Sequence, residues 1–527
     1  MSLNPYVGPW TKKEAGHLLR RTMFGATNQQ ILDAVNNGLP ATVASLLQVV
    51  SIPPPVAFDP GETIVAQGTT WVNAVYPATQ PASIDAESAR YKSLIAWTMQ
   101  NINQESSSIT EKMLLFWQNH FGLSPSNSDA RAMYQFINLL RQNALGNFKQ
   151  LVKDVTIDPA MLRFLNGSSN TVSSPNENYA RELLELFTIG KGAQIDAGDY
   201  SYYTEMDVAS GSKILTGFKV TGIKSATLPS AVATYTPGLH NTNSKQLSYH
   251  FNDLVVANNG ANEYSDYIDI IFQQPQVAVF ICTKLYRYFV NYDLTQDVIN
   301  TVIPSLAQTL IANNYNILSV LQELFLSEHF FYGTLRGTII RNPLDMLFSV
   351  LNATETLPTF DLVGNSNVYL TMYYSAENMG LSYAEPPTVS GWPAYYQVPA
   401  YSKLWINSTT IKYRFDLVSG LLFSGLTIAG NNFKLNTMGF LNALSIPSSA
   451  PDVINDICDV FFPETVSLID KDILKNILTN NLPDFEWTLQ YNDYLLDPTN
   501  PVVLDPVRQR LELVLSRVFK MPQFQMI

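Results

Sequence analysis

The sequence predicts a mainly α protein, a multi-helix globular assembly with a small β-hairpin near residues 218–236 and long irregular loops. Over most of the 527 residues, apolar side chains recur at the three- and four-residue spacing of one buried helix face. Helix-start signals precede several of these stretches. Only residues 218–236 alternate loosely between apolar and polar side chains, which is the period of a strand.

The N-terminal region contains a series of predicted helices. Thr11 and Glu14 form a capping box, so a helix is expected to begin there. Thr27 opens a second helix, which stops near Gly38. Six prolines make residues 51–87 an irregular surface connection. The helices expected next cover residues 86–103, 110–120, 129–143 and 147–155.

The rest of the chain is organised around the stretch from Ser174 to Gly190. Ser174, Pro175 and Glu177 form the pattern of a helix start, and Gly190 supplies a stop. One face of this helix is apolar and contains Ala180, Leu183, Leu184 and Phe187. The opposite face carries Asn178, Arg181, Glu182 and Glu185. This arrangement suits the wall of a site, and it equally suits an ordinary amphipathic helix.

Helices are expected through most of the remaining chain. Thr204 and Asp207 cap one of them, and residues 238–253 form a polar loop that contains histidine. Residues 358–405 are rich in loops, with one short helix near 366–377. The other expected helices cover residues 262–273, 276–290, 294–313 with a bend at proline, 316–327, 343–355, 409–427, 452–461, 467–479 and 505–519.

The length supports two or more packed subregions. We expect an N-terminal helical region at 1–157 and a central helical region at 158–355, which holds the Ser174–Gly190 helix and the hairpin. Residues 356–527 form a C-terminal region that is first loop-rich and then helical. The three regions are expected to form one compact assembly.

Composition and charge exclude several classes of protein. Hydrophobic residues make up 46% of the chain, so wholesale disorder is excluded. The 32 basic and 44 acidic residues give a net charge of −12, which disfavours nucleic acids and anionic membranes as partners. Charged residues make up only 14%, a balance common in proteins that work outside the cytoplasm. Cys282 and Cys458 lie in apolar contexts and are expected to be buried thiols rather than a disulfide.

Several familiar signals do not occur in the sequence. No apolar run is long enough to span a bilayer, so a transmembrane protein is not expected. The first residues lack the basic and apolar segments of a signal peptide, so either the protein is cytoplasmic or a signal has been removed. No His-x-x-x-His pair, Gly-x-Ser-x-Gly elbow or glycine-rich phosphate loop is found. The sequence therefore predicts no metal site and leaves the cofactor undetermined.

Nine stretches of the chain are typical of one family, and they follow one another in that family's order. They are His17–Gly25, Phe116–Gly122, Met161–Gly167, Asn176–Gly190, Tyr203–Val208, Leu215–Gly217, Phe280–Phe289, Pro386–Pro393 and Trp405–Ser408. Over nearly its whole length the chain thus resembles the bacterial family called domain of unknown function 1800.

The resemblance implies a large bacterial protein that is exported to the periplasm or cell surface. It also implies a sulfatase-like companion protein as a partner, and it implies no reaction. Two positions depart from the family pattern. The family's His-Asp-x-Gly-x-Lys is His240-Asn-Thr-Asn-Ser-Lys245 here, so Asn241 replaces an acid and weakens any role as a base or metal ligand there. The family's lysine before Gly-Trp-Pro is Ser390.

The Ser174–Gly190 helix supplies the first candidate site residues. Glu182 or Glu185, if buried, would have a raised pKa and serve as an acid or base. Arg181 would offer its planar fork to an anion or to sugar hydroxyls. The alternative is a set of intrahelical ion pairs, Glu177–Arg181 and Arg181–Glu185, with no function beyond stability. The binding candidates on this stretch are Asn176, Asn178 and Arg181.

Histidines supply the second group of candidates. His240 lies in a polar loop close to Lys245 and is the best catalytic candidate among the five histidines. His120 ends an apolar helix and is more typical of a hydrogen-bonded structural group. His17 shares a helix face with Arg21, and repulsion between the two favours a neutral imidazole. We retain His17, Arg21, His120 and Lys245 as binding candidates.

A third group lies in the aromatic, proline-rich loop. Trp392 and Trp405, with Asn407 nearby, combine aromatic faces with amide groups, which suits sugar rings. The alternative is a loop that its aromatic side chains pin to the helical body. A sugar-binding surface requires Trp392 and Trp405 to be partly exposed on one side of the protein.

These observations leave two functions open. We expect a protein of the cell envelope that binds a polysaccharide or a partner protein. The alternative is a hydrolase or lyase that acts on an extracytoplasmic polymer through Glu182, Glu185 and His240. Binding is preferred because no complete catalytic set can be assembled from the sequence. The enzyme alternative requires these three side chains and Arg181 to converge in one pocket.

Overall fold

A computed structural model describes residues 3–527 and confirms the mainly α class. The described part of the chain contains 22 α-helices. They are α1 (Lys12–Thr22), α2 (Asn28–Asn37), α3 (Leu39–Leu46), α4 (Gln80–Asn103), α5 (Thr110–Phe121), α6 (Ala130–Gln142), α7 (Phe148–Thr156), α8 (Pro159–Phe164), α9 (Asn178–Glu182), α10 (Glu205–Ile214), α11 (Glu263–Ile271), α12 (Gln276–Phe289), α13 (Ile303–Ala312), α14 (Ile317–Phe325), α15 (Pro343–Ala353), α16 (Leu362–Asn378), α17 (Ser408–Ser419), α18 (Thr437–Asn442), α19 (Ala450–Phe461), α20 (Leu468–Thr479), α21 (Asp484–Leu496) and α22 (Pro501–Lys520).

Four small antiparallel sheets, each of two strands, accompany the helices. The strands are β1 (Gln194–Asp196), β2 (Asp199–Tyr200), β3 (Phe218–Thr221), β4 (Val232–Tyr235), β5 (Lys245–Gln246), β6 (Val255–Val256), β7 (Leu426–Ile428) and β8 (Asn431–Phe433). Strands β3 and β4 pair from Phe218 with Tyr235 to Thr221 with Val232, which confirms the hairpin predicted at 218–236. The pairs β1–β2, β5–β6 and β7–β8 were not predicted, because strands of two or three residues are too short to show a period.

Capping residues set several helix starts as predicted. The Thr11–Glu14 capping box opens α1, and equivalent boxes open α2 and α10. The second predicted helix ends at Gly38 as expected, but the chain then continues directly into α3, which was missed. Helices α8, α18 and α21 were also missed. Each capping box stabilises only the helix end at which it forms, so tertiary packing determines the other helix boundaries.

The predicted start of the central helix is wrong. Ser174 does not cap it, and α9 begins only at Asn178. The preceding residues form turns instead, because the Asn170 side chain accepts a hydrogen bond from the Asn176 backbone N–H at 2.9 Å. The helix also changes pitch, since residues Leu183–Thr188 follow α9 as a π-helical segment. We call Leu183–Thr188 the π segment.

One hydrophobic cluster joins buried side chains from Ala15 to Phe524, so residues of all three predicted regions share a core. The region boundaries at 157 and 355 stay predictions. Both cysteines are buried free thiols, as predicted. None of the helices in residues 3–527 combines the length and the apolar character needed to cross a bilayer.

Candidate functional site

The charged side chains of the central helix form ion pairs and hydrogen bonds with residues nearby in the chain. Arg181 makes a bidentate ion pair with Glu205 at 2.8 and 2.7 Å, and a weaker one with Glu177 at 3.3 Å. The first of the two predicted helix pairs is therefore confirmed. Glu185 instead lies 3.5 Å from Lys191 and accepts a hydrogen bond from Tyr203. The physical reason is the π segment, whose wider turn shifts Glu185 out of the four-residue register with Arg181.

Glu182 is the half-buried carboxyl of this face. Burial raises its pKa, and the neighbouring Glu185 carboxylate raises it further. None of the hydrogen bonds or ion pairs within residues 3–527 joins either glutamate to His240. The required convergence of Glu182, Glu185 and His240 in one pocket is therefore not supported by any contact, and their catalytic roles stay predictions.

His240 and Lys245 are parts of a buried cluster rather than of an open loop. His240 Nε2 lies 2.9 Å from Glu263 Oε2, and its Nδ1 lies 2.9 Å from the Thr216 carbonyl. Lys245 forms an ion pair with the other oxygen of Glu263. All three charged or ionisable side chains are at most 4% exposed. Glu263 begins α11 and was not singled out in the sequence, because nothing local marks it as a partner of residues about 20 positions earlier.

The exposed sugar-binding surface that would require Trp392 and Trp405 to be partly exposed is not present. Trp392 is 1% exposed and Trp405 is 4% exposed. The loop is docked on the end of α5, where the Asn119 side chain accepts a hydrogen bond from the Trp392 backbone N–H at 2.9 Å. Asn407 caps α17 through two backbone N–H groups at 2.9 Å. Trp392 and Asn407 therefore have the structural roles expected for a loop that is pinned to the helical body.

Two further binding candidates, Asn176 before α9 and His17 on α1, have local roles. Asn176 Oδ1 accepts a hydrogen bond from the Asn178 backbone N–H at 3.0 Å, just before α9. His17 is buried in α1, and its Nε2–H donates to the Phe330 carbonyl at 3.1 Å. Burial lowers the pKa of His17 well below its usual range, and Arg21 lowers it further. This direction agrees with the neutral imidazole expected for His17.

A pocket lies between α5, α12 and the aromatic loop, and it brings other predicted residues together. We call it the α5–α12 pocket. Its wall consists of Arg21, Lys112, Phe116, Asn119, His120, Lys284, Arg287, Tyr288, Tyr292, Ile339, Ile340, Asn342, Asp345, Ser390, Ala394, Tyr395, Tyr396, Tyr401, Ser402, Trp405 and Ile527.

The wall of the α5–α12 pocket is strongly cationic. Four lysine and arginine side chains line it, against the single side-chain carboxylate of Asp345. Asp345 is already engaged, because it forms a buried ion pair with Lys112 and accepts a hydrogen bond from Asn342 at 2.7 Å. Arg21 is held by backbone carbonyls, including that of Leu335 at 2.8 Å. The remaining cations, Arg21, Lys284 and Arg287, have no carboxylate among the ion pairs of residues 3–527.

Lys284 and His120 form a hydrogen-bonded pair within this wall. His120 Nε2 faces the Phe187 carbonyl at 3.1 Å, so it must carry the proton. Its Nδ1 is then an acceptor, and Lys284 Nζ donates to it at 3.2 Å. Lys284 donates a second bond to the Leu186 carbonyl at 3.0 Å. Burial lowers the pKa of His120 well below its usual range, so the imidazole stays neutral.

The pKa of Lys284 is unusually low for a lysine. Burial, followed by repulsion from Arg287 on the next turn of α12, lowers the pKa of Lys284 to about 7. At neutral pH the side chain is thus shared between its ammonium and amine forms. A lysine tuned in this way suits general acid–base chemistry.

The central helix serves the pocket through its backbone. The carbonyls of Leu186 and Phe187 belong to the π segment, where the i→i+5 pattern changes which carbonyls are free. They fix the orientation of His120 and Lys284. The carboxylates Glu182 and Glu185, which the sequence favoured, are absent from the pocket wall described above.

Gly122 allows the aromatic loop to approach α5. It has a φ of +54°, and an added Cβ would clash with the Val389 carbonyl. We expect Gly122→Ala to lower the free energy of unfolding by about 2–5 kcal/mol, from left-handed strain and overpacking together. Urea unfolding followed by circular dichroism measures the loss.

Gly430→Ala, in the turn between β7 and β8, is the matched control for Gly122→Ala. Gly430 also has a positive φ, +83°, but an added Cβ there meets no atom within 4 Å. Only the conformational cost of about 1–2 kcal/mol is expected. Equal losses in the two variants would show that the contact with Val389 does not hold the loop in place.

The pocket collects five of the stretches on which the family resemblance rests. They contribute Arg21, His120, Lys284, Ser390 and Trp405, while the Asn176–Gly190 stretch reaches the pocket through its two carbonyls. The sequence had named Arg21, His120 and Trp405 as candidates. It missed Lys284 and Arg287, although their three-residue spacing within Phe280–Phe289 places both on one helix face.

Comparison with known proteins gives one match. A family model described as "Protein of unknown function (DUF1800)" matches residues 17–526. No curated protein and no solved structure matches the chain. The match covers nearly the whole length, as the resemblance predicted.

Proposed function

We propose, for a chain that belongs to the DUF1800 family of proteins of unknown function, that the α5–α12 pocket binds the acidic unit of a polysaccharide. The observation that carries the proposal is Arg287, a pocket guanidinium without a carboxylate partner among the ion pairs of residues 3–527. Guanidinium groups stay charged in proteins and pair bidentately with carboxylates and similar anions. An unpaired one in a pocket wall therefore favours an anionic ligand.

The aromatic part of the wall supports a saccharide. Five tyrosines and a tryptophan stand beside the cations: Tyr288, Tyr292, Tyr395, Tyr396, Tyr401 and Trp405. Arg287 already lies 5.1 Å from the centre of the Tyr401 ring. Aromatic faces pack on the apolar faces of sugar rings, while tyrosine hydroxyls and Asn342 provide polar contacts.

The size of the pocket limits how the ligand enters. The pocket has a volume of about 60 Å³, whereas a single water requires roughly 10–15 Å³. This space suits one charged group, with the sugar ring at the mouth. The protein carries a net charge of −12 and repels dense polyanions at long range, so a sparsely charged saccharide fits better.

This function places the protein outside the cytoplasm, as the family resemblance implies. The low charged fraction of 14% agrees with that location. The competing function is binding of a partner protein, such as the sulfatase-like companion that the resemblance implies. A protein partner predicts binding that does not depend on the pocket cations. The catalytic set of Glu182, Glu185 and His240 is not needed for either function.

Calorimetric titration tests the proposal. The probes are a galacturonic acid trimer, a sulfated galactose trimer, a neutral galactose trimer and inorganic phosphate. We expect the acidic trimers to bind at least about tenfold more tightly than the neutral one, which corresponds to about 1.4 kcal/mol. Phosphate binding alone would indicate an anion site without saccharide recognition. Equal affinity for acidic and neutral trimers contradicts the proposal.

Binding of the acidic trimer is expected to weaken as the pH rises through about 7, the pKa of Lys284. A bound anion stabilises the ammonium form, so the ligand prefers protonated Lys284 and binding takes up a proton. Above that pH the affinity falls by up to about tenfold per pH unit. The groups that face Lys284 are His120 on α5 and Arg287 on α12, and burial lowers the pKa of His120 well below its usual range. The Lys112–Asp345 pair lies elsewhere in the same wall.

Lys284→Arg provides the control, because arginine stays charged across this range. Its affinity for the trimer should remain constant from about pH 6 to about pH 8. Calorimetry in buffers of different ionisation enthalpy measures the proton uptake directly. A pH dependence that persists in Lys284→Arg would assign the titrating group elsewhere.

A further inference from the structure

We propose that the α5–α12 pocket also cleaves the bound acidic saccharide by β-elimination, with the side-chain nitrogen of Lys284 as the base. This inference rests on the proposed function, since the same pocket must first hold the acidic sugar. The substrate class is a polysaccharide that contains uronic acid units linked through the oxygen on C4. If Lys284 were only a structural or ligand-binding cation, no elimination reaction would be expected.

The hydrogen bonds of Lys284 prepare its nitrogen for this role. A neutral amine has two N–H groups and one lone pair. Two acceptors, His120 Nδ1 at 3.2 Å and the Leu186 carbonyl at 3.0 Å, take the two N–H groups. The fourth tetrahedral position of the nitrogen carries the lone pair and has no hydrogen-bond partner in the described chain. Lys284 itself is one of the side chains that line the pocket. An incoming C–H group can therefore meet the lone pair.

Lys284 is also held firmly. Its nitrogen lies 4.6 Å from the centre of the Phe280 ring. His120 is in turn fixed by the Phe187 carbonyl. A base with few accessible rotamers needs less reorganisation in the transition state than an exposed lysine does.

Arg287 supplies the second requirement of the reaction. The proton on C5 of a uronate is acidic only when the charge that develops on the adjacent carboxylate is stabilised. Arg287 is one helical turn from Lys284 on the same face of α12 and has no competing carboxylate in the described chain. A carboxylate bound to Arg287 would place the carbon that carries the acidic proton near Lys284.

The proposed step balances without a cofactor. The Lys284 amine takes the proton from C5, and the electron pair of the C5–H bond forms the C4–C5 double bond. The bond between C4 and the glycosidic oxygen breaks, and its electron pair leaves with the oxygen. The Lys284 ammonium then returns its proton to the leaving alkoxide. The products are a new chain end with a free hydroxyl and a 4,5-unsaturated uronate.

The test uses the full chain with galacturonate, glucuronate-containing and alginate oligosaccharides. The unsaturated uronate absorbs in the ultraviolet and is smaller by one water than a hydrolysis product, so absorbance and mass spectrometry identify it. We expect kcat/KM to rise with pH through about 7, because the free protein must hold a neutral Lys284. Lys284→Arg should keep its affinity for the oligosaccharide and lose at least about 100-fold in kcat.

Lys412→Arg is the matched control, because Lys412 is an exposed lysine on α17 in a surface ion pair with Asp416. Its activity should equal that of the unsubstituted protein. Oligosaccharides that bind but give no unsaturated product overturn the elimination and leave the binding function intact. Full activity of Lys284→Arg overturns the role of Lys284. Failure of every acidic oligosaccharide to bind overturns both proposals.

Discussion

Replacing Glu263 by glutamine is expected to lower the free energy of unfolding by about 3–5 kcal/mol. The Glu263 carboxylate is fully buried and is shared by His240 and Lys245. Glutamine keeps the shape of the side chain but removes its charge, so the Lys245 ammonium would remain buried without a counter-charge. Leaving one buried charge unpaired costs far more than an exposed ion pair contributes.

Urea unfolding followed by circular dichroism measures this loss. The control is Glu205→Gln, which breaks the partly exposed pair with Arg181 and is expected to cost only about 0–1 kcal/mol. A double variant, Glu263→Gln with Lys245→Met, removes the unpaired ammonium and should recover much of the stability. If Glu263→Gln unfolds like the Glu205→Gln control, the cluster contributes little to the fold.

Much of the fold follows from local signals in the sequence. Capping boxes such as Thr11–Glu14 and Thr204–Asp207 predict helix starts, because they satisfy backbone N–H groups within four residues. Apolar spacing predicts α22 within four residues and the end of α4, but α4 begins at Gln80, inside the stretch 51–87 that was predicted to be irregular. The start at Ser174 was wrong, and the Asn176 backbone N–H donates to the Asn170 side chain instead of to a cap at Ser174.

The candidate site was predicted only in part, for a different physical reason. His120 and Trp405 could be named from their local chemistry, but Lys112 and Asp345 are paired across 233 positions of the chain. Lys284 gains its acidity from burial, which is a property of the assembled core. No local pattern of residue types carries that information.

The sequence singled out the central helix correctly but not the atoms through which this helix contacts the pocket. Its charged face suggested Glu182 and Glu185, whereas its contribution to the pocket is two backbone carbonyls. A π-helical segment cannot be recognised from side-chain periodicity, because it shifts the register by a single residue. The stretch therefore matters to the pocket through its geometry rather than through its titratable groups.

Replacing Arg287 by methionine is expected to weaken binding of the galacturonic acid trimer by at least about 30-fold, or about 2 kcal/mol. Neither Arg21 nor Arg287 has a carboxylate partner within residues 3–527, but Arg21 is held by backbone carbonyls, so the charge of Arg287 is the one available to the ligand. Methionine keeps an unbranched apolar stem of similar reach. Arg287→Lys should lose part of the affinity, because an ammonium cannot reproduce the bidentate fork. Isothermal calorimetry at one pH and salt concentration gives the comparison.

Stability separates this effect from misfolding. Because removal of Arg287 breaks no ion pair in the described chain, the free energy of unfolding should stay within about 1 kcal/mol of the original value. Arg163→Met, at an exposed arginine that donates to the Asn127 carbonyl, is the matched control and should bind the trimer normally. The opposite pattern, with stability lost and affinity kept, would make Arg287 a structural cation and would remove the argument for an anionic ligand. If the pocket keeps the Arg287 guanidinium unpaired for a ligand, replacing Arg287 must lower the affinity for that ligand more than it lowers the free energy of unfolding.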